Sequence, residues 1–249
     1  MPRTIRFLDE SEWPRGSFEF QLPIDRNSTG FCIVDMQNYC VQPQGHLVRT
    51  LQGTDPSLFQ SYSTRVAGAI ARTSDLLSEF REQGRRVFFT RNTVFLPDGM
   101  DLVQRRRARE KTALTITAGA SGHLPMAESE GCEIVASLAP RPGELVLDKN
   151  TASAFHSTGI DLFLRNMGLQ TLVMAGIASD MCVLLTALDA ADRGFHVIIA
   201  SDACTTFDPG SHEAALLLFR RVYGYVLTTR QILNWMRGAP APASNLDCS

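Results

Sequence analysis

The chain has 249 residues, 44% hydrophobic and 20% charged, with a formal net charge of -2. That balance fits one soluble domain with arms and gives no electrostatic case for nucleic acid or an anionic membrane. No apolar run reaches the roughly 20 residues that span a bilayer, and the first residues lack the apolar core of a secretory signal. The six cysteines (32, 40, 132, 182, 204 and 248) form no CxxC pair, so neither a disulfide framework nor a zinc knuckle is expected, and a reducing cytoplasm is the expected location.

Residues 1–28 read as an N-terminal arm of mixed polarity, with Pro2, Pro14, Gly16 and Pro23. Gly30 to Asp35 is the first buried strand, and Met36 to Leu47 follows as a loop. From Ser57 to Gln83, Val66, Ile70, Leu76, Leu77 and Phe80 recur at helical spacing, and Gly84 ends the helix. Arg86 to Thr90 is a second strand. Strand, long helix and strand in this order make a βαβ unit, so parallel pairing is expected.

Residues 92–132 are irregular, and a structureless segment of that length is often functional. Arg105, Arg106, Arg107 and Arg109 form a basic run within it. A solvated helical face or a subunit contact is the leading reading of this run, ahead of an anion site. Leu145 to Leu147 resumes the sheet, closed by Asp148, Lys149 and Asn150, and Ile160 to Met167 is a short helix. Leu172 to Ala175 is a buried strand, broken by Gly176. Val183, Leu184, Ala187, Leu188 and Ala191 then line one face of a helix. His196 to Ala200, Ser211 to Val222, Tyr225 to Leu227 and Thr229 to Met236 complete the alternation. The class is α/β: a three-layer α-β-α sandwich on a mostly parallel, doubly wound, six-stranded sheet. The domain spans residues 29–237, and residues 238–249, rich in Pro, Ala and Ser, form a flexible tail. No GxGxxG follows the first strand and no P-loop occurs, which disfavours dinucleotides and nucleoside triphosphates.

Three strand ends carry chemistry. Asp35 ends one apolar run and Lys149 another, and Cys182 follows a third at the start of a helix. Parallel strands deliver all three to one edge of the sheet, where open α/β sheets place ligands. A carboxylate can take a thiol proton, and an ammonium can lower the thiol pKa. The helix N-terminus is expected to favour a thiolate at Cys182.

These residues lie in VDMQN at 34–38, LDKNTASAF at 147–155 with TGIDLFLRNMG after it, and AGIASDMCV at 175–183. With these blocks in this order, the chain from Gly30 to Met236 resembles the isochorismatase-like cysteine hydrolases. That family includes nicotinamidase, N-carbamoylsarcosine amidase and the ureidoacrylate and biuret hydrolases. The resemblance implies a catalytic triad of Asp35, Lys149 and Cys182. It also implies a cis peptide at Ile177–Ala178, aiming the N–H of Ala178, with that of Cys182, at a developing oxyanion. The resemblance further implies a homo-oligomer, a dimer or tetramer. This chain lacks the DMQNDF sequence and the metal-binding DxH pattern of nicotinamidases, so neither a metal nor another cofactor is expected. A cysteine at 182 points to C–N cleavage of a small amide, carbamoyl or ureido compound. The alternatives are vinyl ether hydrolysis of the isochorismatase type and a non-catalytic α/β binding module with a vestigial triad.

Substrate contacts are less determined. Arg91 follows the second strand, and either binds a substrate carboxylate or carbonyl or forms a structural ion pair. Gln37 and Asn38 either hydrogen-bond a carbamoyl group or shape their loop. Tyr39 and Phe155 either wall the pocket or belong to the core.

Overall fold

The structure is a computed structural model, and it describes residues 19–108 and 124–245. Six strands form one sheet: β1 (Thr29–Val34), β2 (Val87–Asn92), β3 (Leu145–Lys149), β4 (Thr171–Ile177), β5 (His196–Thr205) and β6 (Tyr225–Leu227). Every pairing is parallel and the order is β3-β2-β1-β4-β5-β6. The chain therefore winds outward from β1 to β3, returns beside β1, and winds the other way from β4 to β6. The strand order reverses between β1 and β4, which is where such sheets open a crevice beyond their carboxyl ends.

Side-chain alternation builds two cores. Phe31 and Ile33 face one way, with Phe89, Val173 and Ile198, and meet the long helix α3 (Pro56–Glu82). Cys32 and Val34 face the other way, with Phe88, Met174 and Ile199. There they meet α6 (Ile160–Asn166), α7 (Leu184–Asp192) and α8 (Pro209–Val222). The period of two along each strand thus divides one apolar sequence between two helical layers. A last helix, α9 (Thr229–Met236), packs beside α3 and carries a capping box between Thr228 and Gln231.

Two boundaries follow local chemistry. Asp55 accepts the Leu58 N–H at 2.9 Å and Pro56 opens α3. Gly84, at φ 63°, ends the turn after it.

Several expectations are corrected. The segment Met36 to Leu47 is not a plain loop: it holds α1 (Asn38–Val41) and the start of α2 (His46–Thr54). Alpha1 is too short to show a period, and a distant partner anchors its first turn, with the Asn38 N–H donating to the Glu133 carbonyl at 2.9 Å. Beta5 runs on past Ala200, through Ser201 and Asp202, because its register against β4 shifts between Met174 and Gly176 and returns Ala203 and Cys204 to the interior. The segment after β2 holds an isolated bridge between Val94 and Met126, and a helix whose described residues are 104–108 (α4). Residues 109–123 of that segment, with Arg109, lie outside the described residues.

The described part of the tail is exposed at 240, 241 and 243 and anchored at its end. Asn245 is buried, accepts the Phe20 N–H at 3.0 Å and donates to the Arg220 carbonyl at 2.8 Å. Phe20 of the arm stacks on Tyr225 of β6. Arm and tail therefore meet beside β6, a partnership between chain ends that composition does not reveal. Residues 1–18 and 246–249 lie outside the described residues. Among the described residues, no helix is long and apolar enough to cross a membrane.

Candidate active site

Beta1 ends at Val34, and Asp35 follows in the left-handed region at φ 52°. Its backbone N–H still donates to the Thr90 carbonyl at 3.1 Å, which ties the turn to β2. The carboxylate is buried and held from two sides. Thr90 Oγ1 donates to Oδ1 at 2.7 Å, and Lys149 Nζ reaches Oδ2 at 2.7 Å. Lys149 sits on β3, two strands from β1. Neighbouring strands lie about 4.8 Å apart, so the lysine spans the end of β2, where a shorter side chain would fall short. Its second contact is the Thr151 carbonyl at 3.1 Å.

Beta4 delivers the thiol. Gly176 stands beside Val34 at φ 140°, and a Cβ there would lie 2.1 Å from the Val34 carbonyl oxygen. Only glycine allows β1 and β4 to run so close at their carboxyl ends. The Ile177–Ala178 peptide is cis, and Ser179–Val183 forms one wide π turn before α7 begins. Cys182 lies in that turn and is 6% exposed.

Asp35 and Cys182 line one cavity of about 360 Å³. Its walls are largely apolar: Leu47, Leu124, Ile177, Met181, Leu185 and Phe207. Tyr39, Asn92 and two arginines, Arg105 and Arg106, supply polar groups. A small organic molecule with few polar handles fits such a lining.

The electrostatics correct one expectation. Burial pushes the Cys182 thiol above its ordinary range; Lys149 and Arg106 pull it down and Asp35 pushes it up, leaving it raised. Desolvation and the neighbouring carboxylate thus work against the thiolate that the helix start is expected to favour. For Lys149, burial pulls the ammonium down, but Asp35 and Cys182 more than offset that and the group titrates above its ordinary range. Asp35 and Lys149 form an ion pair beside a buried thiol.

The expected substrate contacts divide. Tyr39 faces the cavity. Arg91 does not: its Nε and Nη2 grip the Asp148 carboxylate at 2.7 and 2.9 Å, and Nη1 meets Glu133 at 2.9 Å. Alternation along β2 is the reason. Thr90 and Asn92 share the side that meets Asp35 and the cavity, and Arg91 between them points away. Gln37 is structural as well, donating to the carbonyls of Asn92 and Cys132 and accepting the Asn92 N–H. Asn38 donates to the Glu130 carbonyl and lines a separate neighbouring cavity. Phe155 packs near Phe195 under Arg193, on the α7 side of the sheet.

The arginine run moves in the opposite direction. Arg106 is buried rather than solvated, and its Nη1 donates to Asn92 Oδ1 at 2.8 Å. Sequence pattern could have located Asn92, two residues after Thr90 and hence on the same face. The place of Arg106 depends on its tertiary contact with Asn92, for which the sequence carries no local signal.

Among the described residues, no cluster of three or more His, Cys, Asp or Glu side chains could hold a metal. His46 lines the neighbouring cavity, His156 faces Asp189 on the surface, and His123 lies outside the described residues. The five described cysteines are all free and buried.

Comparisons with known proteins agree with this fold. The family model of the isochorismatase domain matches residues 29–231. An isochorismatase family protein, YwoC of Bacillus subtilis, is 30% identical over 169 residues, 68% of this chain and 83% of the relative. The ureidoacrylate amidohydrolase RutB of Methylobacterium radiotolerans is 29% identical over 213 residues, 82% of this chain and 78% of the relative. Among solved structures, a cysteine hydrolase from Pseudomonas syringae pv. phaseolicola superposes with a TM-score of 0.72 at 23% identity, covering 88% of this chain and 97% of that one, and so shares the fold. With its parallel sheet, its crevice at the β1–β4 reversal and a domain match over most of its length, the chain is a hydrolase of the isochorismatase family.

Proposed function

We propose that the protein is a cysteine-dependent amidohydrolase that cleaves a C–N bond in a small amide, carbamoyl or ureido compound. The observation that carries this reading is one juxtaposition. Cys182 and Asp35 line the same buried cavity, and Lys149 fixes Asp35 from behind at 2.7 Å. The names of relatives support the bond class, since RutB is a ureidoacrylate amidohydrolase.

The chemistry follows from the charges. Substrate enters and Asp35 takes the thiol proton as the sulfur attacks the carbonyl carbon. The tetrahedral oxygen, now negative, rests on the N–H groups of Ala178 and Cys182. As the intermediate collapses, the proton on Asp35 passes to the departing nitrogen, and ammonia or an amine leaves a thioester on Cys182. Asp35 then deprotonates a water that attacks the thioester. The acid departs, and the thiolate regains its proton from Asp35. Lys149 stays charged throughout, holding the carboxylate in place and offsetting the negative charge that passes from Asp35 to sulfur and oxygen.

The test is a screen of small amides, ureides and carbamates for ammonia release, run with wild type and Cys182→Ala. Ammonia release in wild type that vanishes in a folded Cys182→Ala protein supports the reading. Release that persists in Cys182→Ala removes the nucleophile, and pyruvate release from a vinyl ether in place of ammonia moves the protein to the other reaction of the family.

A further inference from the structure

Arg106 is 8% exposed and lines the cavity that holds Cys182. A guanidinium has five N–H donors and no acceptor. Among the described residues, the one acceptor it meets is Asn92 Oδ1 at 2.8 Å, and no carboxylate pairs with it. Asp35 shares the cavity but is paired with Lys149 through Oδ2 and accepts from Thr90 at Oδ1, and no ion pair joins it to Arg106. Asn92 is itself fixed, its backbone N–H donating to Gln37 Oε1 at 2.7 Å and its carbonyl accepting from Gln37 Nε2. The guanidinium is thus tied to Asn92 at a strand end, and its other donors meet no acceptor among the described residues. Arg105, exposed at the same cavity, adds a second cation. A buried cation without a counter-charge is costly unless something supplies one. Arg91, with its fork filled by Asp148 and a third contact to Glu133, shows how this fold treats an arginine whose role is structural.

We infer that Arg106 is the anchor of a carboxylate subsite, so the substrate is a small amide or ureide that carries a carboxylate at the end away from its scissile bond. Two N–H groups of one guanidinium can grip both oxygens of a carboxylate, which fixes the far end of the molecule. The apolar walls at Met181 and Leu185 then enclose the carbons between the two polar ends. The inference rests on the amidohydrolase reading for the scissile group, but the binding site for the anion stands on its own geometry.

The experiment uses malonamate, succinamate and 3-ureidopropanoate, each beside a neutral twin in which a primary amide replaces the carboxylate. Calorimetric titration into Cys182→Ala protein separates binding from turnover. At least one acid is expected to bind about tenfold or more tighter than its twin, the loss of a charged hydrogen-bonded contact being worth that much. Arg106→Gln in the same background is expected to abolish that ratio while the melting transition stays native. If Arg106→Gln does not fold, Arg106→Lys decides, since it keeps the charge without the fork: a ratio cut threefold or more supports the subsite, and an unchanged ratio overturns it. The inference also falls if no acid outbinds its twin, or if a folded Arg106→Gln keeps the preference. Acid binding with no ammonia released by wild type would leave the subsite standing and remove the amidohydrolase reading. Ammonia release with no preference for the acids would do the reverse.

Discussion

Lys149 Nζ lies 2.7 Å from Asp35 Oδ2, with the lysine 0% and the aspartate 1% exposed. Two full charges face each other across the end of β2 with almost no water to screen them. Removing one leaves the other buried and unpaired. Lys149→Met should therefore cost about 3–5 kcal/mol of stability. Asp35→Asn with Lys149→Met should cost less than the sum of the single changes, because no lone charge remains. Urea unfolding of the four proteins gives the coupling. An additive pair would mean that the two groups do not compensate each other.

The same pair sets the reactivity of the thiol, and the signs can be worked out. Burial and Asp35 both raise the Cys182 thiol, and Lys149 lowers it. Alkylation by iodoacetamide follows the thiolate. In wild type the rate should climb with pH and still be rising above the ordinary thiol range. Asp35→Asn removes an upward push, so Cys182 should alkylate faster at pH 8. Lys149→Met removes a downward pull, so alkylation there should slow. Hydrolysis should fall about a hundredfold or more in Asp35→Asn, because the base has gone. A variant with a faster thiol and slower turnover separates proton transfer from thiolate supply. If Asp35→Asn slows alkylation and hydrolysis together, Asp35 does not oppose the thiolate as argued.

How much of this was legible in the chain depends on which physical step each residue needed. Asp35, Lys149 and Cys182 could be placed together because each ends an apolar run, and parallel strands bring such ends to one edge. Arg91 ends its strand on the expected edge, and the structural ion pair is the alternative that holds: its neighbours Thr90 and Asn92 take the cavity side, and a period of two sends Arg91 to Asp148 and Glu133. Alternation was there to read. The thiol was harder. Its titration depends on how deeply the fold buries it beside Asp35 and Lys149, which come from elements far apart in sequence. Arg106 was harder again, since its place depends on a tertiary contact with Asn92, which no periodicity encodes.

Gly176 makes the close approach of β1 and β4 possible, and alanine tests it. A Cβ at that position would meet the Val34 carbonyl oxygen at 2.1 Å, with φ at 140°. The backbone would have to leave both its conformation and its register. Gly176→Ala should cost at least about 3 kcal/mol, strain and overpacking combined, and should displace Cys182 with the turn that follows. Gly68→Ala provides the contrast. It lies within α3, with no atom within 4 Å of the added carbon, and should stabilise by about 0.5–1 kcal/mol through helix propensity. Urea midpoints measure both. Similar effects at the two glycines would show that the strand approach is not set by the missing side chain.

Arg91 provides the last test, because its role is the reverse of that inferred for Arg106. Its side chain is 17% exposed, and it grips Asp148 through Nε and Nη2 while Nη1 meets Glu133, itself 57% exposed. Asp148 holds the guanidinium well above its ordinary range. Beta2 and β3 pair Arg91 with Asp148 in register, so the contact clamps the end of the strand that carries Lys149. Arg91→Ala leaves a carboxylate that water can still reach, so the loss should be about 1–2 kcal/mol rather than the larger penalty of a sealed charge. Arg91→Lys keeps the charge but loses the planar grip, and should recover only part of that loss. Neither change removes a group from the cavity. On the best substrate found, kcat/KM should therefore stay within about threefold of wild type, well short of the tenfold or greater loss that follows removal of a charged substrate contact. Urea unfolding and steady-state kinetics on the same preparations make the comparison. A rise in KM of tenfold or more at native stability would put Arg91 on the substrate and require β2 to turn its other face to the cavity.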